Sequence, residues 1–204
     1  MLSHFHGVHF DQLVEAQLDR NIPIASTPEA AENLKALGFK NVYSLQTCNS
    51  MVVMKGGTIL CIDAMPGRHG PPVIAKALPE VMGSVLDFSA GKGKHRYRTY
   101  ISGDILMYDD IQEIPRRYPD IDLALLHLDG TRIFGIVTET TDGKDGVRML
   151  QIIAPHARPI HYNNYDGFKS PLSDFEKEVQ AAGLQGKVTY LKHGDTYQFE
   201  AFEP

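Results

Sequence analysis

The chain has no tryptophan, only two cysteines and no excess of positive charge. Cys48 and Cys61 are too few for a disulfide framework, which fits a cytoplasmic setting. Lysine and arginine number 20 against 25 acidic residues, a formal charge of −5 with histidine neutral. That balance argues against a general nucleic-acid binder. No run of about 18 apolar residues occurs, so no membrane span is expected. The opening segment MLSHFHGVHFD lacks the charged and apolar regions of a signal peptide. The sequence also lacks internal repeats, low-complexity tracts and linker-like stretches. What it has is 204 residues, 43% apolar and 22% charged, enough for one domain over 1–204 with a sizeable core. It is also rich in histidine: nine in all, three of them within the first nine positions.

Short apolar runs alternate with amphipathic stretches, so an α/β chain with helices on both faces of its sheet is expected. Asp11 to Leu18 reads as a helix that buries Leu13, Val14, Ala16 and Leu18. Thr27-Pro28 opens a second helix with a cap and a first-turn proline, and Gly38 closes it. Val42 to Leu45 reads as a short strand. Met51 to Met54 and Thr58 to Ile62 flank Gly56-Gly57, a hairpin signal. Val81 to Phe88 and Tyr97 to Ser102 read as strands joined by an exposed basic turn, Gly91-Lys92-Gly93-Lys94-His95-Arg96. The apolar run Leu123 to Leu128 reads as a buried strand. Val147 to Ile153 and the segment from Ser170-Pro171 through Val179 read as helices. Val188 to Leu191 and Tyr197 to Phe199 suggest a terminal hairpin.

In an extended segment, residues two apart point the same way, so His4 and His6 can converge on one metal ion. His9 can approach from another side. Imidazole suits zinc and related ions; the alternative for this cluster is a histidine-rich tail. Further along, His69 lies in a glycine-flanked loop after an apolar strand, Asp104 follows Ser102-Gly103, and His161 follows Pro159-Ile160. Each is a ligand type at the C-terminal end of an expected strand, where α/β sites collect. Singly, each reads as well as a solvated or turn-forming residue. His127, within an apolar run, reads as a hydrogen-bonded core histidine. His95, His156 and His193 carry no motif. Cys48 and Cys61 read as small buried residues.

Taken together, His4-x-His6-x-x-His9, then His69, Gly103-Asp104 and Pro159-x-His161 resemble the metallo-β-lactamase superfamily. The likeness extends through Ile160-His161-Tyr162-Asn163-Asn164-Tyr165 and Phe168-Lys169-Ser170-Pro171-Leu172. It is similar to the zinc-dependent hydrolase branch that includes ascorbate-6-phosphate lactonase-like proteins. The resemblance implies an αββα sandwich lacking part of its N-terminal sheet, since only Met1-Leu2-Ser3 precede the first motif. It implies one or two zinc ions, with manganese or iron as alternatives. His4, His6 and His69 would hold the first ion, His9 and His161 the second, and the catalytic Asp104 would bridge them. The implied activity is hydrolysis of a small ester, lactone or phosphoester by metal-bound hydroxide.

The family motif carries an aspartate where this chain has Val8, which can neither ligate a metal nor orient water. Asp11 is a nearby carboxylate that could stand in. A non-catalytic, degenerate metal-binding or interaction member of the fold is therefore the alternative function. A redox di-iron member is disfavoured, because that class has glutamate where this motif has histidine. Arg68 and Lys169 read either as contacts to an anionic substrate or as solvated charges. Tyr162 and Tyr165 read either as pocket residues or as half-buried loop packing. A truncated sheet should leave apolar surface uncovered, so a homo-oligomer is expected.

Overall fold

The computed structural model describes residues 1–90, 95–133, 136–153 and 155–199. Its helices are α1 (Gln12–Gln17), α2 (Pro28–Ala36), α3 (Pro72–Ala75), α4 (Glu113–Arg117), α5 (Gly143–Ile153) and α6 (Leu172–Ala181). Its strands are β1 (Ile24–Ser26), β2 (Val42–Ser44), β3 (Ser50–Lys55), β4 (Thr58–Met65), β5 (Gly83–Ala90), β6 (His95–Ile101), β7 (Leu123–His127), β8 (Arg132–Ile133), β9 (Val137–Thr138) and β10 (Ala157–Ile160).

The central sheet has the order β10-β7-β6-β5-β4-β3. From β3 to β6 it is an antiparallel meander, while β6, β7 and β10 run parallel. Gly56 and Gly57 join β3 to β4 with φ of 57° and 84°. Positive φ at both central positions is what a two-residue hairpin turn with the sheet's own twist requires.

Strand register assigns the faces. Val85 lies opposite Tyr100, and Tyr100 opposite Ala124, so all three share one face. That face packs on Val147, Leu150 and Ile153 of α5 and on Phe175 and Val179 of α6. Their helical spacing places the apolar side chains of each helix on one stripe. The other face carries Ile62 and Ala64, which meet Ala25 of β1 and Leu45. Parallel strands β1 and β2 form a second, small sheet. Its outer side is covered by α2 through Leu2, Ile24, Ala30, Leu34 and Phe39. The layers are therefore helix, sheet, small sheet, helix.

Three expectations need correction. The first helix forms, but Leu13 and Val14 are 61% and 37% exposed and Ala16 is exposed too. Six residues make under two turns, too short to present a continuous apolar stripe. The terminal hairpin does not form. Val188 makes one parallel bridge to Ala157, and the later aromatics attach through their rings. Phe199 stacks on Tyr97 at 4.1 Å, and Tyr197 lies against the Arg158 guanidinium at 3.9 Å. A two-stranded hairpin is marginal by itself, and these rings gain more from existing side chains. Cys48 is exposed and Cys61 half-buried, so neither is a core residue. Residues 91–94 of the basic turn lie outside the described residues.

Candidate metal centre

The first histidines are positioned by backbone bonds to β1 and to Met82, the residue before β5. The Leu2 amide donates to Ala25 of β1 at 2.9 Å, and the Met82 amide donates to the Ser3 carbonyl at 3.1 Å. Amides of His9 and Phe10 both donate to the His6 carbonyl, at 2.9 and 2.8 Å. This turn folds the segment back, so that His4, His6 and His9 approach from different directions. Ser3 Oγ lies 3.1 Å from His4 Nδ1, leaving Nε2 of that ring free.

Asp104 enters from the end of β6. Gly103 before it has φ 68°, and a Cβ there would sit 3.0 Å from the Met82 carbonyl and 3.1 Å from Ser3 Cβ. His161, just past β10, also adopts positive φ, 55°. A left-handed histidine is uncommon and tends to be kept where orientation matters.

The structure brings these side chains together. Donor atoms of His4, His6 and Asp104 lie within 4.8 Å of one another, as do those of His9, Asp104 and His161. Asp104 is common to both sets. Its Oδ2 is 2.9 Å from His9 Nε2 and 3.6 Å from His161 Nε2. His69 stands beside the first set, its ring centroid 5.1 Å from that of His4, and its Nε2 lies 3.0 Å from Glu139 Oε1. Nε2 of His4, His9 and His161, Nδ1 of His69 and Oδ1 of Asp104 are buried without a hydrogen-bond partner. The close His9 contact is not aligned as a hydrogen bond. Converging buried lone pairs without protein donors are what a cation requires, and nitrogen with carboxylate oxygen suits zinc.

Protonation fits the same picture. Burial pushes His4 down to about 2, with the neighbouring His9 adding to the effect, and burial likewise lowers His6. Neutral imidazole is the form that binds metals. Burial would raise the Asp104 carboxyl, but the adjacent His161 and His9 rings override it and hold Asp104 well below the usual range. His127 is pushed down to about 3 by burial, and its Nδ1 lies 3.2 Å from Ser102 Oγ. It is a hydrogen-bonded buried histidine whose ring lies 5.2 Å from that of His161.

A cavity of about 310 Å³ opens onto this cluster, lined by His6, Val8, His69, Asp104, Glu139 and Tyr165 among others. Of the residues considered for substrate contact, only Tyr165 reaches it. Arg68 stacks on Tyr108 at 4.2 Å. The Tyr162 hydroxyl donates to the Leu191 carbonyl at 3.3 Å, and exposed Lys169 donates to the Asp166 carbonyl. Asp11 caps α1 by accepting from the Val14 amide at 2.7 Å, and it belongs to neither donor set.

Glu139 and Asp129 were not singled out by sequence. Asp129 is buried and accepts from Thr140 Oγ1 at 2.6 Å and from Thr131 Oγ1 at 2.5 Å; burial raises its carboxyl, as does the nearby Asp104 charge. The only local signal for either was a carboxylate close to threonines beside a short strand.

No family model matches the chain. A UPF0173 metal-dependent hydrolase from Archaeoglobus fulgidus is 27% identical over 209 residues, covering 98% of this chain and 80% of the relative. Among solved structures, an isothiocyanate hydrolase from Delia radicum gut bacteria superposes with TM-score 0.79 at 17% identity, over 98% of this chain and 76% of that one. A possible metal-dependent hydrolase from Veillonella parvula gives TM-score 0.76 at 20% identity, over 95% and 73%.

Proposed function

Since the chain has the metallo-β-lactamase fold and aligns along nearly its whole length with a metal-dependent hydrolase, we propose that it is a metal-dependent hydrolase of a small ester, lactone or phosphoester. The observation that carries this reading is the meeting of two three-donor sets at Asp104, with buried donor atoms that no protein group satisfies. His4, His6, His69 and Asp104 would hold one ion, most suitably zinc, and His9, His161 and Asp104 a second. When bound, such an ion polarises the substrate oxygen and acidifies water.

The protein groups do the rest. Asp104, held ionised, accepts and orients rather than donating a proton. The buried, neutral His4 presents a lone pair. Tyr165, on the cavity wall, would donate to a developing oxyanion. The cavity's size admits a small molecule. A cytoplasmic setting goes with the two free cysteines.

The test pairs elemental analysis after dialysis with a panel of lactones, esters and phosphoesters. About one tightly held ion per chain is expected, because the second set lacks the carboxylate missing at Val8. No retained metal at neutral pH would overturn the reading. Val8 favours a second reading, a metal-binding member without turnover. Metal retained with no hydrolysis across the panel selects it.

A further inference from the structure

Glu139 lines the same cavity as His69 and Asp104. We propose that Glu139 is a second carboxylate of the metal pocket, beside Asp104, and acts by positioning His69. The inference rests on the reading of His69 as a metal-holding residue.

Glu139 is only 7% exposed. A carboxylate is seldom kept there without a partner, because removing its charge from water is costly. Its Oε1 lies 3.0 Å from His69 Nε2. The other ring nitrogen, Nδ1, is buried and has no hydrogen-bond partner. With the hydrogen on Nε2 facing Glu139, Nδ1 carries a bare lone pair, the form in which imidazole binds a cation.

The backbone fixes this pairing. The Glu139 carbonyl accepts from the Gly70 amide at 2.8 Å, tying it to the residue after His69. The Glu139 amide donates to the Thr131 carbonyl at 2.8 Å. The two residues that follow are engaged elsewhere: Thr140 Oγ1 donates to Asp129, and Thr141 Oγ1 to the Ile105 carbonyl. A carboxylate behind a ligating histidine fixes the tautomer and raises the basicity of the ring, and losing it commonly weakens metal binding by about 10–100-fold. Negative charge at the cavity wall also attracts the cation directly.

The experiment measures zinc affinity by chelator competition, and the visible spectrum of the cobalt-loaded protein, for the natural chain and Glu139→Gln. Glutamine is nearly isosteric, so the melting temperature of the metal-free protein checks the fold. Glu139→Gln should weaken zinc binding by about 10–100-fold and shift the cobalt bands, with metal-free melting unchanged. Zinc affinity of Glu139→Gln within about twofold of the natural chain overturns the proposal, as does a weakened affinity with unshifted cobalt bands. If the natural chain itself binds no metal, the proposed function falls first and this inference with it.

Discussion

Gly103 delivers Asp104 to the cluster in a conformation that few other residues adopt. Gly103→Ala would add backbone strain and a close contact with the Met82 carbonyl, so a loss of about 2 kcal/mol is expected. Denaturant unfolding of the metal-free protein would measure it, and a loss under about 0.5 kcal/mol would contradict the close packing described here. Val8→Asp is expected to add a carboxylate beside His9, His161 and Asp104, and so to raise metal stoichiometry toward two per chain. Metal analysis decides this: unchanged stoichiometry places position 8 outside the ligand shell. The convergence of His4, His6, His9 and His161 on Asp104 was legible in the sequence through the family likeness of their order. Glu139 was not, because a glutamate among threonines looks like any strand-edge residue. Its role emerges only when the chain folds position 139 onto His69.

Helix α2 was readable down to its ends. Thr27 Oγ1 accepts from the Ala30 amide at 3.3 Å, Pro28 occupies the first turn, and Gly38 follows with φ 88°. Thr27→Ala should lower stability by about 1 kcal/mol, seen as a fall in melting temperature without change in metal affinity. A drop in metal affinity would instead mean that α2 communicates with the site. The β3–β4 hairpin was equally legible, since two consecutive glycines between apolar runs leave few alternatives. Helix α1 shows where periodicity misleads: Leu13 and Val14 follow the pattern, yet no neighbouring layer covers them. The last segment misled for a related reason. Val188 to Leu191 and Tyr197 to Phe199 suggested two paired strands, but partners for Tyr197 and Phe199 come from Arg158 and Tyr97, distant in sequence. Local pattern reports what a segment can bury, and tertiary structure decides where.

The whole molecule leaves β3 at one margin of its central sheet, with Val52, Val53 and Met54 exposed by 58%, 39% and 75%. An apolar strand with open backbone groups is prone to pair with another copy. Self-association through this margin is therefore expected, and Val52→Lys/Met54→Lys should shift the mass seen by light scattering toward the monomer. A natural chain that is monomeric at high concentration would refute it. The division of the sheet into a meander and a parallel half also bears on the order of events in folding. Strands β3 to β6 are neighbours along the chain, whereas joining β7 to β10 means closing a loop across 128–156. Local pairings form quickly, and distant parallel ones wait for longer closures. Pulse-labelled hydrogen exchange should thus protect amides of β4 and β5 before those of β10. His161 lies just beyond β10, so the second donor set, His9, His161 and Asp104, would be completed among the last steps, and a newly made chain would gain its capacity for a second ion only near the end of folding.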